Sequence, residues 1–335
     1  ADATVQDTGS NVQRARLNWL YRWVQRLQDE AEPVEGLVEE VRRTELGLLE
    51  RARRQRLAAS VPGSPADLSQ QFDCQALCQV MREHETMIEY GVLDDELFAA
   101  VVTRDGVRIK RHLAHWHEVT DAVRSARFQI ESLRNGQDRV TKHMDTLTAR
   151  AKVRLQRVHE LIWAPLEDAL SRTRRVLVVP HGSLGSLPFG ALLDGEPTLG
   201  RELELAIVPS ARMALHGLRS RPRAARIGLV LGESSRLEHA AHEARIVAGL
   251  FPSARTCIDS EATLTNLRAY APQADVIHFA CHGQFRADNP MFSALHLRDG
   301  VLTVEAAESL GLNQSTVVLS ACETALADQG TGDEM

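Results

Sequence analysis

The sequence lacks two features that would assign it to a common class of protein. No apolar run in its 335 residues approaches the roughly 18 residues of a membrane-spanning helix, and no charged-then-apolar signal sequence opens the chain. Positive charge is not in excess either, because 45 acidic and 39 basic residues leave a formal net charge of −6. We therefore expect no membrane insertion and no direct binding to nucleic acid, which needs a basic surface.

Cysteine is scarce as well. Five cysteines, an odd number without a regular framework, fit reduced thiols better than the disulfides of a secreted protein. We therefore expect a cytoplasmic protein. A hydrophobic content of 44% is sufficient for a buried core, and the length allows one large domain or two ordinary ones.

The N-terminal segment, residues 1–65, is predicted to be helical. Apolar residues recur at helical spacing over 12–27 and again over 34–52. Two amphipathic helices in tandem are either the end of a TPR-like repeat array, a connector, or a helical cap on the following domain; the match to the roughly 34-residue TPR pattern is poor. The Ser-, Pro- and Gly-rich stretch 60–65 is the clearest linker.

Residues 66–170 are predicted to form a β-hairpin region followed by two long helices. Strands are expected at 86–90, 96–103 and 107–112. Apolar stripes predict the helices over 119–133 and 140–162, with a turn at Asn135-Gly136.

Histidines and cysteines of this region raise the question of a metal site. His112, His115 and His117 lie close together, but no cysteine or regular repeat accompanies them. Cys74 and Cys78 are one helical turn apart and lack a second pair. We interpret the histidines as the solvated start of a helix and assign no metal and no cofactor.

Residues 171–335 alternate strands with helices. Strands are expected at 176–179, 205–208 and 227–231, a helix over 240–250, and then two further strands. This alternation predicts an α/β fold with a mainly parallel sheet flanked by helices.

The last two strands end at reactive side chains. The apolar run 276–279 stops shortly before His282, and the run 317–319 stops shortly before Cys322. Such runs predict buried interior strands of a parallel sheet, in which chemistry collects at the strand ends. Because a nearby imidazole can deprotonate a thiol, Cys322 and His282 are a candidate nucleophile and base.

His278 competes with His282 for the role of base. The two side chains share one face of the strand, and Cys281 points to the other. His282 is favoured because it lies at the strand end beside Gly283, whose backbone can approach a substrate closely. We expect His278 to be a deeper, hydrogen-bonded structural histidine and Cys281 to pack against a covering helix.

Several motifs together resemble a known family. They are HFACHG, FRADNPMFSAL and LSACET, with VVPHGSLGSLPFGALLDG upstream. Their order is similar to that in the CHAT family of caspase-like cysteine peptidases, which are often fused to TPR arrays, and the resemblance covers roughly Ala76 to the last residue. It implies a caspase/separase-type α/β fold, a His282/Cys322 dyad and endopeptidase activity on a protein substrate. The caspase signature is matched only partly by SACET, so specificity for Asp is not implied.

The resemblance also implies roles around the dyad. The backbone N–H groups of Gly283 and Cys322 are the expected oxyanion donors. Independently of the resemblance, Glu323 and Asp333 are acidic residues close in sequence to Cys322 that could pair with a basic substrate side chain, although Asp333, which follows Thr-Gly ahead of an expected helix, is typical of a helix N-cap.

Two polar residues remain open to more than one interpretation. Asp288 and Asn289 could orient the imidazole, but Asp-Asn-Pro is also a common turn, which we favour.

The CHAT resemblance places a peptidase domain over 66–335, with 171–335 as its catalytic half and 66–170 as the other half. The family continues past Gly332-Asp333-Glu334 with a helix and strands, so we expect additional sequence or a second polypeptide to supply them. The predicted function is a bacterial cysteine endopeptidase regulated by a protein partner or signal in prokaryotic signalling or defence. The alternative is a catalytically silent scaffold or interaction module of the same fold.

Overall fold

The computed structural model describes most of the chain in two compact units. The described residues are 8–29, 35–59, 72–134, 144–192, 203–219, 225–234, 237, 239–286, 289–310, 312 and 315–321. The split unit contains the described residues up to 59 together with those from 225 onward, and the central unit contains those from 72 to 219. The linker 60–65 and the turn at 135–136 lie outside the described residues. The predicted domain boundaries stay predictions.

Two helices open the split unit, as their apolar spacing predicts. They are α1 (Thr8–Asp29) and α2 (Glu35–Ala59). Their facing sides form a small core with Phe292 from a later loop; the core residues are Leu17, Leu20, Val41, Leu48 and Phe292. In α1, Arg14 Nη2 lies 2.6 Å from Glu305 Oε1, and Glu305 is 5% exposed. The helical pair is therefore packed against the rest of its unit.

The central unit is built on a five-stranded mixed sheet. Its elements in chain order are α3 (Cys74–Val80), β1 (Glu85–Leu93), β2 (Glu96–Thr103), β3 (Gly106–His115), α4 (Trp116–Arg134), α5 (Met144–Ile162), α6 (Glu167–Leu170), β4 (Arg175–Val179), α7 (Phe189–Leu192), β5 (Glu204–Ile207) and α8 (Ala211–Arg219). The strand order is β3-β2-β1-β4-β5, with antiparallel pairs among the first three strands and parallel pairs from β1 to β5.

Helices cover both faces of this sheet. One face packs on α4 and α5 through residues such as Val119, Val158 and Ile88, and the other packs on α3 and α8 through Leu77 and Ala214. The predicted strands and helices of this region are confirmed where the structure describes them, whereas residues 140–143 of the predicted helix 140–162 lie outside the described residues.

The prediction that three histidines mark a helix start is wrong for two of them. His112 and His115 lie in β3, and only His117 lies in α4. The strand continues beyond the predicted 107–112 because its hydrogen bonding to β2 extends to the pair formed by His115 and Glu96. All three histidines are exposed, as predicted.

The split unit contains a four-stranded parallel sheet. Its elements after α2 are β6 (Ile227–Gly232), α9 (Ala240–Ala248), β7 (Ser253–Ile258), α10 (Leu264–Tyr270), β8 (Val276–Ala280), β9 (Gly283–Gln284), β10 (Ala294–Leu297), β11 (Gly300–Thr303), α11 (Val304–Ala307) and β12 (Thr316–Ser320). The sheet order is β12-β8-β6-β7, and the short strands β9, β10 and β11 form a separate antiparallel sheet.

Helices flank this sheet too. Leu264 and Leu267 of α10 share a core with Ile277 and Phe279 on one face. On the other face, α9 approaches so closely that a Cβ added to Gly232 would lie 2.7 Å from the Cβ of Ala244. None of the described helices is both long and apolar enough to cross a membrane.

The prediction that both late strands are buried interior strands holds for β8 and is wrong for β12. Within the part of the chain that the structure describes, β12 is at the edge of its sheet, and Val317, Val318 and Leu319 are 39%, 40% and 46% exposed. Val317 and Leu319 line an apolar cavity together with Ile277 and Phe279, and among the described residues no strand pairs with the free side of β12.

Candidate active site

Strands β8 and β12 bring the segments that precede the two predicted catalytic residues to one edge of the sheet. They are adjacent and parallel, with Ala280 opposite Ser320. His282 follows Ala280 by two residues along the chain, and Cys322 follows Ser320 by two. Cys322 itself lies outside the described residues.

A cavity of about 470 Å³ opens at this edge. Its lining includes Ser320 and Ala321 from the end of β12, Ala280 from the end of β8, and His239 and Glu243 from the start of α9. The carboxyl ends of parallel strands are where α/β proteins commonly bind ligands. The cavity is therefore the candidate substrate cleft of the split unit; Cys281 is among its lining residues and His282 is not.

The His282 side chain is half-buried. Its Nε2 atom is buried and has no hydrogen-bond partner among the described residues. A hydrogen bond fixes the backbone at His282, because the backbone N–H of His296 donates to the His282 carbonyl oxygen at 2.8 Å. Buried nitrogens without a partner are uncommon, which distinguishes this atom from most buried polar groups.

His278 is buried and hydrogen-bonded, as predicted. It is 6% exposed, and its Nε2 atom lies 2.9 Å from Glu243 Oε1, so the ring donates to the carboxylate. It also lies deeper along β8, opposite Val318. With its Nε2 bonded to Glu243, His278 is the weaker candidate for a base.

Comparison with known proteins identifies the family. The CHAT domain matches residues 152–335, which is more than half of the chain and includes the positions of His282 and Cys322. The chain belongs to the CHAT-domain family. This family is related to caspase-like cysteine peptidases, so the resemblance inferred from the motifs is confirmed. No curated protein matches the chain.

Cys281 of the CHAT domain is excluded as the nucleophile. The residue is fully buried and shares a core with Leu264 and Leu267 of α10, which confirms the predicted packing against a helix. Burial raises the pKa of its thiol to about 12, and the nearby charge of Glu233 acts in the same direction. Its sulfur is therefore protonated at neutral pH.

The CHAT loop that follows His282 is bound to the N-terminal helices through Glu45 of α2. This carboxylate is 1% exposed and accepts from Tyr21 Oη at 2.6 Å, from Arg286 Nη1 at 2.9 Å and from Asn289 Nδ2 at 3.4 Å. Burial, together with the bond to Glu45, raises the pKa of the Tyr21 hydroxyl well above its usual value. The helical pair thus contacts a segment that begins four residues after His282.

The interpretation of Asp288-Asn289-Pro290 as a turn is supported at Asn289. Its backbone N–H donates to the Arg286 carbonyl oxygen at 3.1 Å, and its side chain binds Glu45. Asn289 is therefore not placed to orient an imidazole. Asp288 lies outside the described residues.

The remaining predicted site residues are placed only in part. Gly283 opens β9 and pairs with Leu295 of β10 directly after His282. Cys322, Glu323 and Asp333 lie outside the described residues, so the oxyanion donors and the specificity pocket stay predictions. The sequence interpretation missed Glu243, because nothing in the local pattern of α9 indicates its contact with a histidine 35 residues away.

Three described side chains of types that bind metals lie together elsewhere, in the central unit. They are Asp95, His115 and His117, all exposed. The sequence interpretation considered the histidines without Asp95, which comes from a different turn.

Proposed function

We propose that this chain is a cysteine endopeptidase with a caspase-like fold, in which Cys322 is the nucleophile and His282 its base. The supporting observation is the register of β8 and β12: the paired residues Ala280 and Ser320 each precede a proposed catalytic residue by two positions. The buried Nε2 atom of His282, which has no partner among the described residues, adds to this support.

The proposed reaction follows from these groups. His282 takes the proton from the Cys322 thiol, and the thiolate attacks the carbonyl carbon of the scissile peptide bond to form a carbon–sulfur bond. The N–H groups of Gly283 and Cys322 stabilise the oxyanion. The imidazolium then gives its proton to the leaving amine, and water, deprotonated by His282, hydrolyses the thioester and restores the thiol.

The substrate is a protein, and cleavage follows a basic side chain. Three acidic residues support this specificity: Glu323 and Asp333 are close in sequence to Cys322, and Glu243 lines the cavity beside Ala321. We propose a cytoplasmic peptidase in prokaryotic signalling or defence whose activity is controlled by a protein partner, with no direct role for nucleic acid or membrane.

A catalytically silent interaction module is the alternative. The exposed strand β12 favours it, because an edge strand whose backbone groups are unpaired within the described residues can bind an added strand of a partner. In that case the His/Cys pair would be present without turnover.

Covalent labelling tests the proposal. The full chain, with the exposed Cys74 replaced by serine, is incubated with a peptide ketone electrophile that carries Arg next to the reactive carbon, and the adduct is mapped by mass spectrometry. We expect a single adduct on Cys322, strongly slowed labelling in His282→Asn, and none in Cys322→Ala.

The matched controls separate the two functions. If Cys322 and His282 act as one unit, the double variant is no slower than the slower of the two single variants. Labelling that persists in Cys322→Ala, or that is unaffected by His282→Asn, overturns the dyad. Protein binding without any labelling of Cys322 favours the interaction module.

A further inference from the structure

Three metal-binding side chains converge at one corner of the central unit. Asp95 lies in the turn between β1 and β2, His115 is the last residue of β3, and His117 is the second residue of α4. One donor atom from each lies within 4.8 Å of the other two. The side chains are 49%, 69% and 66% exposed, so an ion and its water ligands can reach them.

Both imidazoles direct the same ring nitrogen at the same carboxylate oxygen. Asp95 Oδ2 lies 2.7 Å from His117 Nδ1 and 3.2 Å from His115 Nδ1. Two ligand atoms that are each about 2.1 Å from a shared zinc ion are about 3.0 to 3.4 Å apart. The two distances from Asp95 Oδ2 are therefore close to the spacing of ligand atoms around one ion.

The backbone already holds the ligands in place. Trp116 N–H donates to the Asp95 carbonyl oxygen at 2.8 Å, and His117 N–H donates to Asp95 Oδ1 at 3.0 Å. The second bond occupies one carboxylate oxygen and leaves Oδ2 facing the two rings. Outer hydrogen bonds of this kind orient metal ligands and raise affinity.

The charge state suits a cation as well. The hydrogen bonds from His117 lower the pKa of the Asp95 carboxyl group, so the aspartate is ionised at neutral pH. Two neutral imidazoles and one carboxylate are preferred by borderline ions such as Zn²⁺ over Mg²⁺ or Ca²⁺, which take oxygen ligands.

We propose that Asp95, His115 and His117 form a zinc site, with Oδ2 and the two Nδ1 atoms as protein ligands and water completing the coordination. The ion joins the β1–β2 turn to the β3–α4 corner. Because zinc replaces any proton on the two Nδ1 atoms, binding releases protons. This site does not depend on the proposed peptidase activity.

Calorimetric titration of Zn²⁺ into the tag-free full chain tests the site. The Cys74→Ser variant serves as the background, so that this exposed thiol does not compete for the metal. We expect one site per chain, a loss of at least about tenfold in affinity in both His117→Ala and Asp95→Asn, and no comparable binding of Mg²⁺. The absorption spectrum of bound Co²⁺ provides a second readout, because its visible bands depend on the coordination number and geometry of the ion.

The matched control is His112→Asn. His112 is also an exposed histidine of β3, but its Nδ1 atom contacts Glu96 at 3.1 Å and it is not part of the cluster. Its φ of 57° is a conformation that asparagine tolerates, so the variant should fold. Zinc affinity that is unchanged in a folded His117→Ala variant, or reduced equally in His112→Asn, overturns the proposal.

Discussion

Removing the Glu45 carboxylate should loosen the contact between α2 and the loop that follows His282. Glu45 is almost fully buried and accepts hydrogen bonds from Tyr21, Arg286 and Asn289. The variant Glu45→Ala takes the carboxylate away from a guanidinium that is itself only 19% exposed. Its consequence should therefore be larger than that of losing a surface ion pair.

The expected cost follows from burial. Removing one partner of a buried ion pair costs about 3 to 5 kcal/mol, because the other charge loses its compensation. Arg286 keeps some contact with water, so we expect the lower end, about 3 kcal/mol. A change of this size raises the population of locally open molecules by about a hundredfold.

A second glutamate on the same helix provides the control. Glu40 forms an ion pair with Arg16, and the two side chains are 34% and 63% exposed. Because water and salt screen such a pair, Glu40→Ala should cost no more than about 1 kcal/mol. The two variants differ mainly in the burial of the charge that is removed.

Native-state hydrogen exchange measures both effects by segment. We expect Glu45→Ala to speed exchange in α2 and in residues 283–286, while Glu40→Ala leaves 283–286 unchanged. If Cys322 and His282 are catalytic, peptidase activity should fall in the first variant only. Equal protection in the two variants would refute the reasoning that the buried Glu45 bonds hold the loop.

Three further predictions concern single sites. In the folded protein at pH 8, iodoacetamide should leave Cys281 unmodified by mass spectrometry, because burial raises the pKa of its thiol to about 12; rapid modification would contradict this. By NMR the Glu96 carboxyl group should titrate near pH 2, since Arg111 lowers its pKa to about 2, and Arg111→Gln should return it toward the usual value of about 4.3. The stabilisation from this pair is present above the usual pKa and is lost as pH falls toward 2. In urea unfolding, Gly232→Ala should lower the free energy of unfolding by about 1 to 3 kcal/mol, because the added methyl group clashes with α9. Gly36→Ala should not lower it, because the space around Gly36 is open. Equal effects of the two substitutions would exclude the clash.

The sequence predicted the elements whose apolar pattern is strong. Strand β8 and helices α4 and α5 carry continuous or periodic apolar residues, and burial follows that pattern directly. Strand β7 was missed because apolar and polar residues alternate only weakly in its sequence, SARTCI. The strand is at the edge of the described sheet, and its first three residues are exposed to water. The strands β9 to β11 were missed because they are two to four residues long.

The candidate site was predictable only where its residues lie in local motifs. His282 stands in a motif at the end of an apolar run, so its position could be inferred. The contacts between Glu243 and His278 and between Glu45 and Arg286 span 35 and 241 residues of sequence. Such pairs are created by packing, and neither partner carries a local pattern that indicates the other.

The relative alkylation rates of Cys322 and Cys74 in one molecule test the central claim most directly. Cys74 is exposed and serves as an internal reference thiol. At pH 6 an unassisted thiol is less than about 1% thiolate, so a base beside Cys322 should make it react with iodoacetamide at least about tenfold faster than Cys74. We predict that this ratio falls toward one in His282→Asn and is retained in His278→Asn. A ratio near one in the unaltered protein, or one that His282→Asn leaves unchanged, would contradict the assignment of His282 as the base of Cys322.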